Sequence, residues 1–193
     1  MKVLKNILSQ LHTFVLWALV SVLLWGWIFT FIGDAPREKK VTIFVNTPGV
    51  EDRKLALRLE EKLPEGIKMI RVHDFNFDMF GTNTPGDIYV VSESLLRKMM
   101  EEQPETILPC PEAEGYTVLR VDGVPVGIRI FDASAGIGAG GGEYLRYTAD
   151  DPAAAEDYYL CFGAESCHLK GGKDAVDNAA WEVAMELLGL RWG

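Results

Sequence analysis

From Phe14 to Ile32 the chain runs through 19 residues without a charge, Phe-Val-Leu-Trp-Ala-Leu-Val-Ser-Val-Leu-Leu-Trp-Gly-Trp-Ile-Phe-Thr-Phe-Ile. At about 1.5 Å rise per residue, a helix of this length matches a hydrocarbon layer about 30 Å thick. The run is longer than the h-region of a secretory signal, and no small-x-small cleavage site closes it: Gly33-Asp34-Ala35 is followed directly by Pro36. The segment therefore reads as an uncleaved transmembrane anchor, with Trp25 and Trp27 near its far end fitting an interfacial belt. Residues 14–32 make the membrane the first expected partner, and residues 1–33 form one unit, an N-terminal tail with a signal-anchor helix.

Orientation follows less directly. Lys2 and Lys5 stand on one side of the span and Arg37, Lys39 and Lys40 on the other, nearly a tie under the positive-inside rule. The short tail and the large following domain favour the usual signal-anchor outcome, a single-pass protein of the cell membrane with its domain extracytoplasmic.

Residues 34–40 form a charged juxtamembrane linker containing Pro36, and residues 41–193 form one domain. The whole chain carries 19 basic and 28 acidic residues, a net charge of −9, and the part after residue 33 is more acidic still, with 17 basic against 28 acidic. Such a surface repels a polyanion, so nucleic acid is excluded as a partner. It suits a solvated domain beside an anionic bilayer. With 48% hydrophobic residues the chain can build a core, and three Cys are too few for a disulfide scaffold.

Within the domain, Val41–Asn46 is β-branched and aromatic and reads as a buried strand. Thr47-Pro48 then offers a cap and a first-turn proline for a helix over 50–63, with Leu55, Leu59 and Leu63 on one face. Strands are expected at 67–72 and 87–91, followed by a helix capped by Ser92 and stopped at Pro104. This order predicts an α/β fold with a mostly parallel sheet and right-handed crossovers. Asp122-Gly123 between two apolar runs predicts a β-hairpin over 117–131. A strand over 158–162 and a helix over 175–188, capped by Asp174, complete the domain.

Chemistry-bearing motifs are sparse. Gly136, Gly138 and Gly141 satisfy Gly-x-Gly-x-x-Gly, but they follow a hairpin rather than the first strand of a βαβ unit, so a mobile loop is expected in place of a nucleotide site. His73, Asp74 and Asp78 follow the second strand, at a sheet edge where open α/β sheets bind ligands, and are the candidate ligand-binding residues. Phe75, Phe77 and Phe80 are expected to pack that loop down. Cys161, Cys167 and His168 form Cys-x5-Cys-His, which is not a zinc spacing. Cys161 and Cys167 either form a small-loop disulfide or leave Cys161 as a free core thiol, while Cys110, between Pro109 and Pro111, is expected to be exposed. No nucleophile, metal or cofactor motif is present, so no catalytic residue, metal or cofactor is assigned and the chain is not read as an enzyme.

Three stretches together resemble bacterial extracellular solute-binding proteins of ABC transporters: Asp87-Ile-Tyr-Val-Val-Ser-Glu, the hairpin Val121-Asp-Gly-Val-Pro-Val-Gly127, and the run from Tyr158 to Leu169 with the helix from Asp174 to Leu188. The resemblance implies a domain like one lobe of those proteins, acting as a membrane-anchored binding or accessory module for a small solute. The alternative is an assembly subunit that docks on a membrane transporter or on itself, with no small-molecule ligand.

Overall fold

A computed structural model describes residues 2–32, 34–75, 85–111, 113–140, 143–148, 155–172 and 174–190. The chain divides into two units, Met1–Pro36 and Arg37–Gly193. The first is one helix, α1 (Lys2–Ile32), whose window Leu11–Ile28 has a mean hydropathy of 1.8, none of it buried in protein. It is long and apolar enough to cross a membrane, a criterion that a signal sequence near an N-terminus also meets.

The second unit is an α/β domain. A short 3-10 turn, Arg37–Lys39, leads into β1 (Lys40–Val45), which pairs in parallel with both β3 (Met69–Asp74) and β4 (Ile88–Ser92). The other long strands are β6 (Val118–Val121), β7 (Val124–Asp132) and β10 (Tyr158–Gly163), and the sheet order is β3-β1-β4-β10-β7-β6. Two short strands add to interior strands of the sheet, β5 (Ile107–Leu108) on β10 and β8 (Ile137–Gly138) on β7, and β2 (Gly49–Val50) forms a separate ribbon with β9 (Leu145–Arg146).

The sheet is mixed rather than mostly parallel. β10 inserts antiparallel between β4 and β7, and all six of its residues are buried. The reason is non-local: the last strand returns to the sheet centre from the opposite end, and a parallel reading of the preceding elements cannot anticipate that.

Helices cover both faces. α2 (Asp52–Glu60) and α4 (Ala179–Gly189) bring Leu55, Leu59, Ala180, Val183, Ala184 and Leu187 against one face, where Ile43, Val90, Ile128 and Leu160 are buried. α3 (Glu93–Glu102) brings Leu96 and Met99 to the other face, against Tyr89, Val91, Tyr159 and Cys161. Ser92 caps α3 as expected, accepting from the Leu95 amide at 3.4 Å, and the helix gives way at Gln103 before Pro104.

Two helix starts shift. α2 begins at Asp52, because Gly49-Val50 is committed to pairing with Arg146 and Leu145. α4 begins at Ala179, because Asp174 is left-handed, with φ 54°, and it is Asp177 whose carboxylate accepts from the Ala179 amide at 2.9 Å. The predicted hairpin is present: Asp122 and Gly123 have φ 51° and 81°, the twist that a two-residue turn between antiparallel strands needs.

Candidate functional site

The main candidate is a cleft of about 360 Å³ beside β7. Ile130 and Arg129 of β7 form one wall, Ile137 and Gly138 of β8 another, and Leu188 and Leu190 at the end of α4 a third, with Tyr116 at the rim. The volume falls in the range of small-ligand sites, about 300–1,000 Å³.

The glycines that read as a mobile loop build this cleft. Asp132 accepts from the Ser134 amide at 2.9 Å and the Ala135 amide at 3.1 Å, and Gly136, at φ 67°, turns the chain into β8. A Cβ at Gly138 would stand 2.7 Å from the Phe131 ring, so only glycine lets β8 lie this close to β7. Phe131 in turn stacks on Tyr147 with centroids 4.6 Å apart, and the Tyr147 hydroxyl donates to the Ala139 carbonyl at 2.6 Å. The segment is therefore a pinned hairpin. Among the described residues no helix starts there, so they form no phosphate cradle; Gly141 lies outside the described residues.

Arg129, the charged residue on the cleft wall, is already engaged. Arg129 pairs with Asp132 at 2.9 Å and Asp157 at 3.1 Å, and donates to the Thr117 hydroxyl at 3.3 Å. The hydrogen bond from the Ser134 hydroxyl, then the Ala135 amide, then Arg129 hold the Asp132 carboxyl below its ordinary range. Both carboxylates stand behind the lining and take up the one cation on the cleft wall. Such a cleft can hold an apolar body and tolerates a neutral or cationic head, whereas an anion would have to compete with two carboxylates for Arg129.

A second concavity of about 310 Å³ lies at the β2–β9 ribbon, with Glu51, Glu143 and Arg146 on its walls. Arg146 is engaged there, donating to the Pro48 carbonyl at 3.0 Å.

His73 and Asp74 lie at the end of β3, as read from the sequence, and both are exposed. Neighbours on a strand point to opposite faces, so the two side chains diverge: His73 stacks on Phe44, centroids 5.5 Å apart, while Asp74 is on the side of Ile70 and Val72. Asp78, Phe77 and Phe80 lie outside the described residues. Phe75 is packed down as expected, buried against Phe44 and Tyr89. Among the described residues, no three His, Cys, Asp or Glu side chains are grouped to hold a metal ion.

Of the two readings for Cys161, the structure has the free core thiol, while Cys110 differs from expectation. Cys110, Cys161 and Cys167 are all free thiols and all buried, so the structure contains no Cys161–Cys167 disulfide. Cys110 is 3% exposed, because its amide donates to the Pro125 carbonyl and draws the Pro-Cys-Pro segment onto β7. Burial, with Cys110 nearby, pushes the Cys161 thiol far up, the wrong direction for a nucleophile.

One buried polar cluster could not be assembled from the sequence. Ser166 and His168 are fully buried and Asp87 nearly so. The Ser166 hydroxyl donates to Asp87 at 2.6 Å and accepts from the His168 amide at 3.1 Å. Both imidazole nitrogens are committed elsewhere, Nδ1 to Asp177 and Nε2 to the Arg37 carbonyl, so the hydroxyl and the ring are not a nucleophile and its base. Three separate segments meet here, and only Cys167-His168 had stood out as a motif.

No protein-family profile, curated protein or solved structure matches the chain.

Proposed function

We propose that the chain is a single-pass membrane-anchored binding module, its α/β domain displayed on the extracytoplasmic side, taking a small solute in the Arg129 cleft. The cleft carries this reading: an open site of about 360 Å³, walled by Ile130, Ile137, Leu188 and Leu190 and rigidly backed by Phe131 and Tyr147. The apolar helix before the domain supports anchoring. The motif resemblance to a solute-binding lobe agrees with such a role. Wall chemistry selects a neutral or cationic solute with an apolar body, and the rest of the chain acts as scaffold and tether.

The test is thermal unfolding of the full-length protein in lipid nanodiscs against a panel of small neutral, cationic and anionic amphiphiles. A ligand at about 100 times its Kd stabilises the folded state by about 2.7 kcal/mol. Neutral or cationic members should raise Tm in wild type and not in Ile137→Asp, a rim residue 65% exposed whose replacement leaves the core intact. A panel with no effect on wild type, or with equal effects on both proteins, removes this reading.

One observation favours a second role, an assembly subunit docking on a membrane transporter or on itself: Ile137 and Tyr116 present apolar surface to solvent at the cleft rim. Sedimentation that depends on concentration in wild type and not in Ile137→Asp would support that role over solute binding.

A further inference from the structure

The chain enters the α/β domain at Arg37, and the loop between β10 and α4 grips that residue from two sides. The Arg37 guanidinium donates to the Glu165 carbonyl. Its own carbonyl oxygen lies 2.9 Å from Nε2 of His168, whose Nδ1 lies 2.9 and 3.1 Å from the two carboxylate oxygens of Asp177. The imidazole is fully buried between them.

A carbonyl and a carboxylate only accept. A neutral ring has one N–H; held on Nδ1 by the Asp177 carboxylate, the stronger acceptor, it leaves Nε2 turning a lone pair toward the Arg37 carbonyl oxygen. The imidazolium donates to both. Burial by itself lowers the pKa of His168, but the Arg37 carbonyl and the Asp177 carboxylate outweigh it, with Asp87 adding to them, and the net shift is upward. The titratable and charged groups facing the ring are Asp177 ahead of α4, Asp87 at the start of β4, the Cys167 thiol, whose sulfur lies 4.0 Å from the same Arg37 carbonyl, and Arg37 itself, with its guanidinium directed at Glu165.

We infer that His168 is a proton-operated clasp: when protonated it ties Arg37, the first residue of the domain, to Asp177, and when neutral it releases the Arg37 carbonyl.

The loop side of the clasp is fixed. Ser166 is bonded to Asp87, Asp87 accepts from the Thr42 amide at 2.8 Å, the Ala164 amide donates to Thr106, and the Ala180 amide donates to the His168 carbonyl. The Arg37 side is one exposed 3-10 turn, held at its far end by the Lys68 amide on the Lys39 carbonyl. Release therefore frees the backbone of the turn at Arg37 and Glu38, with the Arg37 guanidinium still on the Glu165 carbonyl, while the loop stays in place. A folded-state pKa raised above the unfolded value of about 6.5 makes the clasp fully effective below that pH, and its contribution is lost as pH rises through the folded pKa.

The test uses full-length protein in nanodiscs with 15N-labelled histidine. Ring 15N shifts of His168 near pH 6 should report two protonated nitrogens; a neutral ring there overturns the proposal without any variant. Tryptic cleavage after Arg37 is then followed from about pH 6 to pH 9 in wild type and His168→Gln, the ratio of the two rates cancelling the protease's own pH dependence. Wild type should be cut more slowly at the acid end, by about tenfold for each unit by which the folded pKa is raised, with the ratio approaching one as the ring deprotonates. Asp177→Asn, which keeps an acceptor and removes the charge, should move the transition to lower pH. A ratio independent of pH, or an unmoved transition in Asp177→Asn, overturns the clasp.

Discussion

Ser166 Oγ donates to Asp87 Oδ1 at 2.6 Å, while Asp87 Oδ2 accepts from the Thr42 amide at 2.8 Å, so one carboxylate joins the β10–α4 loop to β1. The bond spans 79 residues of sequence and is buried. Asp87→Ala leaves a hydroxyl and an amide without their acceptor, and each buried unsatisfied group costs about 1–3 kcal/mol. The denaturant midpoint should fall accordingly, and Asp87→Asn, which retains one acceptor, should fall less. Equal midpoints for wild type and Asp87→Ala would show that the loop is held by other contacts.

Gly123 sits at φ 81° with open space around its Cα, so only backbone strain opposes a side chain there. Gly123→Ala should destabilise the domain by about 1–2 kcal/mol, the cost of placing an L-residue in the left-handed region. Asp122→Asn should be close to neutral, because asparagine tolerates that region as well as aspartate does. Chemical denaturation of the two variants side by side checks both signs.

Phe162 is fully buried in β10, against Trp181 of α4 with centroids 5.8 Å apart. Phe162→Ala should cost about 3–5 kcal/mol through lost burial and the cavity left behind. Ile137→Asp, at the exposed cleft rim, should stay within about 0.5 kcal/mol of wild type. This contrast in unfolding free energy is also what makes Ile137→Asp usable as a binding probe.

The three buried thiols should resist a membrane-impermeant maleimide in the folded protein and react once it is denatured, since each must be exposed before its thiolate can attack. Rapid labelling of native wild type would contradict the burial of Cys110. Leu57→Cys, at a position 57% exposed on α2, then supplies a reactive thiol that reports the side of the membrane. Labelling in intact cells is expected for the proposed orientation. Labelling only after permeabilisation would place the domain inside.

The elements legible in the sequence are those decided over a few residues. An uncharged apolar run of 19 residues makes the second half of α1, a serine before an apolar period caps α3, and Asp122-Gly123 closes the hairpin because few residue pairs accept two positive φ angles. Local pattern also placed most of β1, β3, β4 and β10 to within a residue or two.

Tertiary structure alone decided which strands meet, and with them the site. Whether β10 joins the sheet at its edge or between β4 and β7 depends on loop closures that no window of sequence contains. That insertion makes the sheet mixed and buries Cys161 beside α3. Likewise, Gly136 and Gly138 are punctuation in the sequence, and they become the back of a cleft only when Phe131, Tyr147 and the end of α4 pack around them. His168 carries no local sign of its role, because its partners Arg37 and Asp177 come from opposite ends of the domain's sequence. Propensities act between neighbours along the chain, whereas burial and buried hydrogen bonds act between neighbours in space, and both the cleft and the clasp belong to the second kind.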